Sequence, residues 1–278
     1  MTENLNQLLL SAAESGTPED VIAALGKGAD VDARDFAGRT PLMLAAGTHG
    51  RTAVVRAILH AHADIDAQDS SGRTAVMQAV LGRDPETLQV LLERGPDLSI
   101  HGGLGETALI VAASSARRAV PPLLAAGADP NDPDTKGKSP LMWAVDPQFH
   151  PGSGSPEMVN QLLNADAYVN AQDYHGRSAL MWAVTDQVPD MHAGVLKALL
   201  AGGAIVDLAD HWGQTPLMLL VTAAADAFNL RLSRRLLDVL IEAGADVNAA
   251  DTAGVTVLAR AAGSQELIDY LKAAGTAA

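Results

Sequence analysis

A six-residue pattern, Asp-x-x-Gly-x-Thr or Ser, recurs along the chain and strongly limits what the chain can fold into. The full copies begin at Asp35, Asp69, Asp134, Asp173, Asp210 and Asp251, and a degenerate copy, Gly102 to Thr107, lacks the aspartate. Their glycines, at positions 38, 72, 105, 137, 176, 213 and 254, are 34, 33, 32, 39, 37 and 41 residues apart. Self-similarity at a period of about 20–50 residues indicates a stack of repeats rather than separate globular domains.

Each copy predicts a tight turn followed by two helices. The glycine adopts the positive φ that a side chain would resist, and the Thr or Ser caps the first helix by accepting a backbone N–H. Pro41 is one of three prolines that follow the cap, where the missing N–H costs nothing. A short first helix, such as Leu42 to Ala46, precedes a second helix with paired leucines, such as Leu199-Leu200. The second helix ends at a glycine suited to a left-handed cap, such as Gly203.

This pattern resembles the ankyrin repeat, whose members contain Thr-Pro-Leu-His-x-Ala and end in Gly-Ala-Asp-Val-Asn. Thr40-Pro-Leu-Met-Leu-Ala45 and Ser139-Pro-Leu-Met-Trp-Ala144 match the first motif, and Gly244-Ala-Asp-Val-Asn248 matches the second. The resemblance implies an all-α ankyrin-repeat solenoid of about eight helix-turn-helix units with β-turn or hairpin tips. We expect one domain, 1–278, with an N-terminal cap repeat at 1–34, six internal repeats at 35–250 and a C-terminal cap repeat at 251–278.

One departure from the family pattern is systematic. The family's histidine is replaced by Met43, Met77, Ile110, Met142, Met181 and Met218. In the family that histidine usually links adjacent turns by hydrogen bonds, so its loss puts this polar link in doubt. We expect the methionines to fill the core instead, because an unbranched side chain adapts to irregular gaps.

The resemblance also implies a concave protein-binding surface, formed by the turn tips and the exposed side of the first helices. All three tryptophans lie in the repeats from about 134 to 250, which we therefore expect to bind another protein. The candidate partner-binding residues are Lys136, Lys138, Trp143, Tyr174, His175, Arg177, Trp182, His211 and Trp212. Lys136, Lys138 and Arg177 are expected to be tip cations that steer an acidic segment of the partner. Two alternatives stay open: Trp143 and Trp182 only pack over a neighbouring helix, and the tip cations are only solvated.

The same part of the chain carries insertions between the two helices of a repeat. Asp146 to Pro156 and Thr185 to Ala193 are expected to be loops, and Ala223 to Arg235 is expected to extend a second helix at its start. Insertions in repeat proteins often lie on the binding side.

Composition and motifs narrow the function classes. The chain has 19 Lys and Arg against 33 Asp and Glu, a net charge of −14, which argues against nucleic acid or anionic membranes as partners. The absence of cysteine excludes disulfides and thiolate sites. His60-Ala-His62-Ala-Asp64 has the form of a metal motif, but His62 stands where other repeats carry a capping glycine.

We therefore expect no catalytic residue, no metal and no cofactor. The sequence has no signal segment or membrane-spanning run, so we expect a cytoplasmic protein. We also expect it to be a monomeric, non-catalytic scaffold. The alternative is an inhibitor or immunity-type protein that blocks the active site of a toxin or enzyme, which the charge of −14 and the absence of an effector domain suggest.

Overall fold

The chain is built from paired helices. The computed structural model describes residues 2–146, 155–184, 192–225 and 227–275. The chain divides into two compact units, residues 1–135 and residues 136–278. Within the described residues, each unit contains four helix pairs, and pairing of extended backbone is limited to two isolated bridges. The loops expected between the helices of two repeats fall largely at 147–154 and 185–191, outside the described residues.

The helices of the first unit are α1 (Thr2–Ser15), α2 (Pro18–Gly26), α3 (Pro41–Ala46), α4 (Thr52–His60), α5 (Ala75–Gly82), α6 (Pro85–Leu92), α7 (Ala108–Ser115) and α8 (Val120–Ala125). Those of the second unit are α9 (Pro140–Val145), α10 (Pro156–Asn164), α11 (Ala179–Trp182), α12 (His192–Ala201), α13 (Pro216–Ala224), α14 (Ala227–Glu242), α15 (Val257–Arg260) and α16 (Gln265–Gly275). Within each unit, first helices pack on neighbouring first helices and second helices on neighbouring second helices. The all-α stacking of helix-turn-helix repeats is thus confirmed.

The predicted turn chemistry is also confirmed. The capping residue of every copy of the pattern accepts a hydrogen bond from the backbone N–H three residues later; these caps are Thr40, Thr74, Thr107, Ser139, Ser178, Thr215 and Thr256. In the degenerate copy, the carboxylate of Glu106 takes over from the missing aspartate, because its Oε2 accepts the backbone N–H of Leu104 at 2.9 Å. A carboxylate therefore holds this turn as well.

The residues that replace the family's histidine form part of the core, as expected. They are Met43, Met77, Ile110, Met142, Met181 and Met218, each at most 2% exposed. A polar link between repeats nevertheless exists, made by the tips themselves. In the first unit the Ser70 N–H donates to the Ala37 carbonyl at 2.9 Å, and in the second the Tyr174 N–H donates to the Lys136 carbonyl at 3.0 Å.

We predict that a side chain at the tip glycine Gly105 is harmful for a steric reason as well as a conformational one. Gly105 and Gly127 both have positive φ, 79° and 93°. A Cβ at Gly105 would lie 2.5 Å from the Thr135 nitrogen, whereas a Cβ at Gly127 would meet nothing within 4 Å. Gly127→Ala should cost about 1–2 kcal/mol for its backbone conformation, and Gly105→Ala about 1–3 kcal/mol more for the clash. Urea unfolding midpoints measure the difference, and equal midpoints for the two variants would contradict it.

Candidate protein-binding surface

The predicted tip residues of the second unit form one row. This tip row, Lys136, Tyr174, His175, His211 and Trp212, comes from three successive turns. Tyr174 is 66% and Trp212 48% exposed, and Lys136, His175 and His211 are exposed as well. The His175 and Trp212 rings stack with centroids 5.8 Å apart and an angle of 27°. The structure thus brings these five predicted residues together at the surface.

Close packing of neighbouring tips explains why the row is continuous. A Cβ built on Gly137 would lie 2.7 Å from the Tyr174 ring, and one on Gly176 would lie 2.7 Å from His211 Cδ2. The His211 N–H also donates to the His175 carbonyl at 3.1 Å. Tyr174 and His211 therefore rest on the turn glycine of the preceding repeat, which restricts their positions.

The expectation that Lys138 is an exposed tip cation is wrong. Lys138 is only 3% exposed, and its ammonium group forms a buried ion pair with Asp146, which is fully buried. The same Nζ lies 4.1 Å from the Trp143 ring centroid and 3.8 Å from that of Trp182. Burial follows because a carboxylate and two indole faces together replace the water that a tip lysine would otherwise keep.

The indole cluster, Lys138, Asp146, Trp143 and Trp182, gives the two tryptophans a structural role. Both rings are half-buried rather than fully exposed. The guanidinium carbon of Arg177 lies 5.6 Å from the Trp182 ring centroid, so this predicted cation is also engaged within the unit. These tryptophans therefore have a packing role, because they pack around a buried lysine. They also keep part of their surface in solvent.

Two acidic residues of this region were not predicted from the sequence as part of the site. Asp146 is the partner of Lys138, and Asp173 Oδ2 accepts the Trp182 Nε1–H at 3.0 Å. The second contact has a sequence signal, because the donor follows the aspartate by nine residues, as it does for Gln78 after Asp69. Asp146 has no such signal, since it begins an inserted loop.

Hydrogen bonds favour the ionised form of a tip carboxylate. The pKa of Asp251 is held below its usual value by the backbone N–H of Val255 and, to a smaller extent, by the Arg260 guanidinium, against the opposing effect of burial. The Asp251 carboxylate is therefore an anion at neutral pH, paired with Arg260.

The histidine motif of the first unit has the structural position that the sequence suggested. His62 has a φ of 63°, in the left-handed region where other repeats place their capping glycine. His60 Nδ1 lies 2.6 Å from the Arg56 carbonyl oxygen one helical turn earlier. Within the described ranges, no group of three or more His, Asp or Glu side chains is arranged to hold a metal ion.

Comparison with known proteins agrees with the geometry. The family model for ankyrin repeats (3 copies) matches residues 9–101, 84–173 and 150–230, which together cover most of the chain. The chain belongs to the ankyrin repeat family. The crystal structure of the ankyrin repeat domain of Bcl-3, described as a unique member of the IkappaB protein family, is similar to this ankyrin protein with a TM-score of 0.66 and 31% identity. The match covers 84% of this chain and 97% of the Bcl-3 domain.

A search of curated protein sequences finds no match to the chain. Ankyrin repeats are in general a non-catalytic module for protein interaction. No helix in the part of the chain that the structure describes is long and apolar enough to cross a bilayer.

We predict that Lys138 and Asp146 are coupled in stability. Lys138→Met should destabilise the protein by about 3–5 kcal/mol, because it leaves the Asp146 carboxylate buried without its cation. Lys138→Met/Asp146→Asn removes both charges and should cost less than the single change. Guanidinium unfolding followed by tryptophan fluorescence measures the loss, because all three tryptophans lie in the second unit.

The matched control is Arg39→Met, at the same repeat position. Arg39 is 36% exposed and pairs with Asp35 at 2.8 Å, so its loss should cost no more than about 1 kcal/mol. Equal effects of Arg39→Met and Lys138→Met would show that burial of the lysine carries no energetic weight.

Proposed function

We propose that the protein is a non-catalytic scaffold that binds another protein through the tip row and the adjoining indole cluster of the second unit. The observation that carries this proposal is the exposed aromatic row, in which Tyr174, His175, His211 and Trp212 succeed one another on packed turns. Membership of the ankyrin family supports it, because ankyrin repeats generally bind proteins.

The chemistry of the row suits a protein partner. Tryptophan and tyrosine are enriched among the few residues that dominate binding energy at interfaces, since each buries a large, rigid area at low entropic cost. Trp212 is nearly half exposed although its backbone N–H is tied to Asp210 at 2.9 Å, so its backbone is fixed while its ring stays available. Little ordering entropy then opposes association.

The cations of this region take different parts in the proposal. Lys136, at the exposed tip, and Arg177, against Trp182, lie at the surface that the partner would cover. Lys138 is buried and acts as a positioning residue, because it holds the two indoles that flank it. We further propose that the chain works as one domain, as a monomer and in the cytoplasm.

The direct test is a comparison of binding by Trp212→Ala and the wild type. A partner captured from native lysate by the full chain is purified, and its affinity for both proteins is measured by calorimetry. Loss of the Trp212 side chain should cost on the order of 2 kcal/mol, or about 30-fold in Kd, as for a central aromatic anchor.

Phe36→Ala provides the matched control. Phe36 is an aromatic tip residue of the first unit, 98% exposed, and lies outside the proposed surface, so its removal should leave Kd unchanged. A loss below about 0.5 kcal/mol for Trp212→Ala, the level of a rim residue, would refute the assignment.

An inhibitor of a basic toxin or enzyme is the second candidate, favoured by the net charge of −14. It requires binding dominated by Asp and Glu, and hence an affinity that falls steeply as salt is raised. Calorimetry between low and physiological ionic strength separates the two functions. An affinity that does not change with salt eliminates the inhibitor, and a steep fall with no effect of Trp212→Ala favours it.

A further inference from the structure

Asp210 is one of the aspartates that open the repeat turns, and its Oδ1 atom makes the same contacts as in the other turns. It accepts the backbone N–H groups of Trp212 and Gln214, both at 2.9 Å. Asp173 accepts the equivalent pair in the preceding repeat. The turn thus uses one oxygen of the carboxylate and leaves the second, Oδ2, for another donor.

In sister repeats a side chain of the same protein supplies that donor. The donor stands nine residues after the aspartate, in the first helix; these pairs are Gln78 Nε2 with Asp69 (3.2 Å), Trp182 Nε1 with Asp173 (3.0 Å) and the Arg260 guanidinium with Asp251. In the repeat of Asp35 the ninth residue is Leu44, and Arg39 Nε donates instead, at 2.8 Å. Each of these Oδ2 atoms therefore has a partner.

Asp210 departs from this rule. The residue nine positions after Asp210 is Leu219, whose side chain has no donor. The residue four positions after Asp210 is Gln214, whose side chain makes no hydrogen bond to Oδ2. No hydrogen bond from the described residues reaches Asp210 Oδ2, although the residue is only 6% exposed. A buried acceptor without a donor is costly to a fold and calls for an explanation.

The surroundings of Asp210 indicate what the missing donor would be. Trp212, two residues along, is stacked on His175 and presents a flat aromatic surface at the same tip. A guanidinium group both stacks on aromatic rings and donates to carboxylates. In this protein the Arg260 guanidinium already donates to the carboxylate of Asp251.

We propose that Asp210 is the recognition point for an arginine side chain of the partner protein, whose guanidinium supplies the donor that Leu219 lacks. This inference rests on the proposed function and adds the chemistry of one partner residue. Since Oδ2 is shielded from water, a neighbouring side chain must turn aside as the arginine enters, a rotamer change that is common at interfaces.

The test uses the full chain and two small probes, Nα-acetyl-arginine methylamide and its neutral isostere Nα-acetyl-citrulline methylamide. Titrations are followed by NMR at the indole N–H signals, with that of Trp212 assigned through Trp212→Phe. The arginine probe should shift the Trp212 signal in a saturable way, with a Kd in the millimolar range that is at least about tenfold lower than that of the citrulline probe.

Two variants make the result specific to the missing donor. Leu219→Gln gives Asp210 an internal donor, as Gln78 does for Asp69, and should weaken arginine binding at least about fivefold. Asp210→Asn keeps the Oδ1 bonds of the turn and removes the charge, and should weaken it similarly. Leu44→Gln is the matched control, because Asp35 already has Arg39, and should leave the titration unchanged.

Equal shifts by the two probes, no saturable shift, or undiminished binding to Leu219→Gln would overturn the inference. These outcomes are distinct from failure of the proposed function. If partner capture still depends on Trp212 while arginine does not bind, only the identification of the arginine fails. If partner binding does not depend on Trp212, the proposed surface itself fails.

Discussion

The interaction on which each repeat depends is the hydrogen bonding of one carboxylate to the backbone of its own turn. At Asp173, as at Asp210, two N–H groups converge on Oδ1, which closes the turn and sets where the capping Ser or Thr begins the next helix. In the degenerate copy the carboxylate of Glu106, at a different position, accepts one backbone N–H of the turn, that of Leu104. Backbone hydrogen bonds between neighbouring tips then link successive repeats within a unit.

The second oxygen of that carboxylate has different donors in different repeats. Where the first helix offers a donor, as Trp182 does to Asp173, the contact is internal to the protein. Where it offers Leu219, Oδ2 is buried without a donor among the described residues, at the tip that carries the exposed Trp212. A single residue of the first helix therefore decides whether this oxygen has an internal donor.

Much of the fold was predictable because it depends on short-range chemistry. The spacing of Asp, Gly and the capping residue identified the turns and helix starts, and the methionines were correctly placed in the core. The extended second helix was placed only approximately, since α13 continues to Ala224 and α14 begins at Ala227. The single-domain organisation remains a prediction.

The candidate site was harder to predict because it depends on contacts across repeats. The tip position correctly identified Tyr174 and Trp212 as exposed, but the same rule failed for Lys138. Its burial depends on Asp146 and on Trp182 of the next repeat, 44 residues away in sequence (182 − 138), so no local pattern reveals it. The nine-residue spacing from aspartate to donor was visible in the sequence, yet its meaning required the geometry.

The central claim is that the partner lies on the tips of the second unit, and hydrogen exchange of the complex tests it most directly. Amide exchange measured by mass spectrometry, with and without the captured partner, should show protection concentrated at residues 173–177 and 210–214. The second helices α10 and α12 should exchange equally in both states. Protection of those helices with unchanged exchange at the tips would contradict the account.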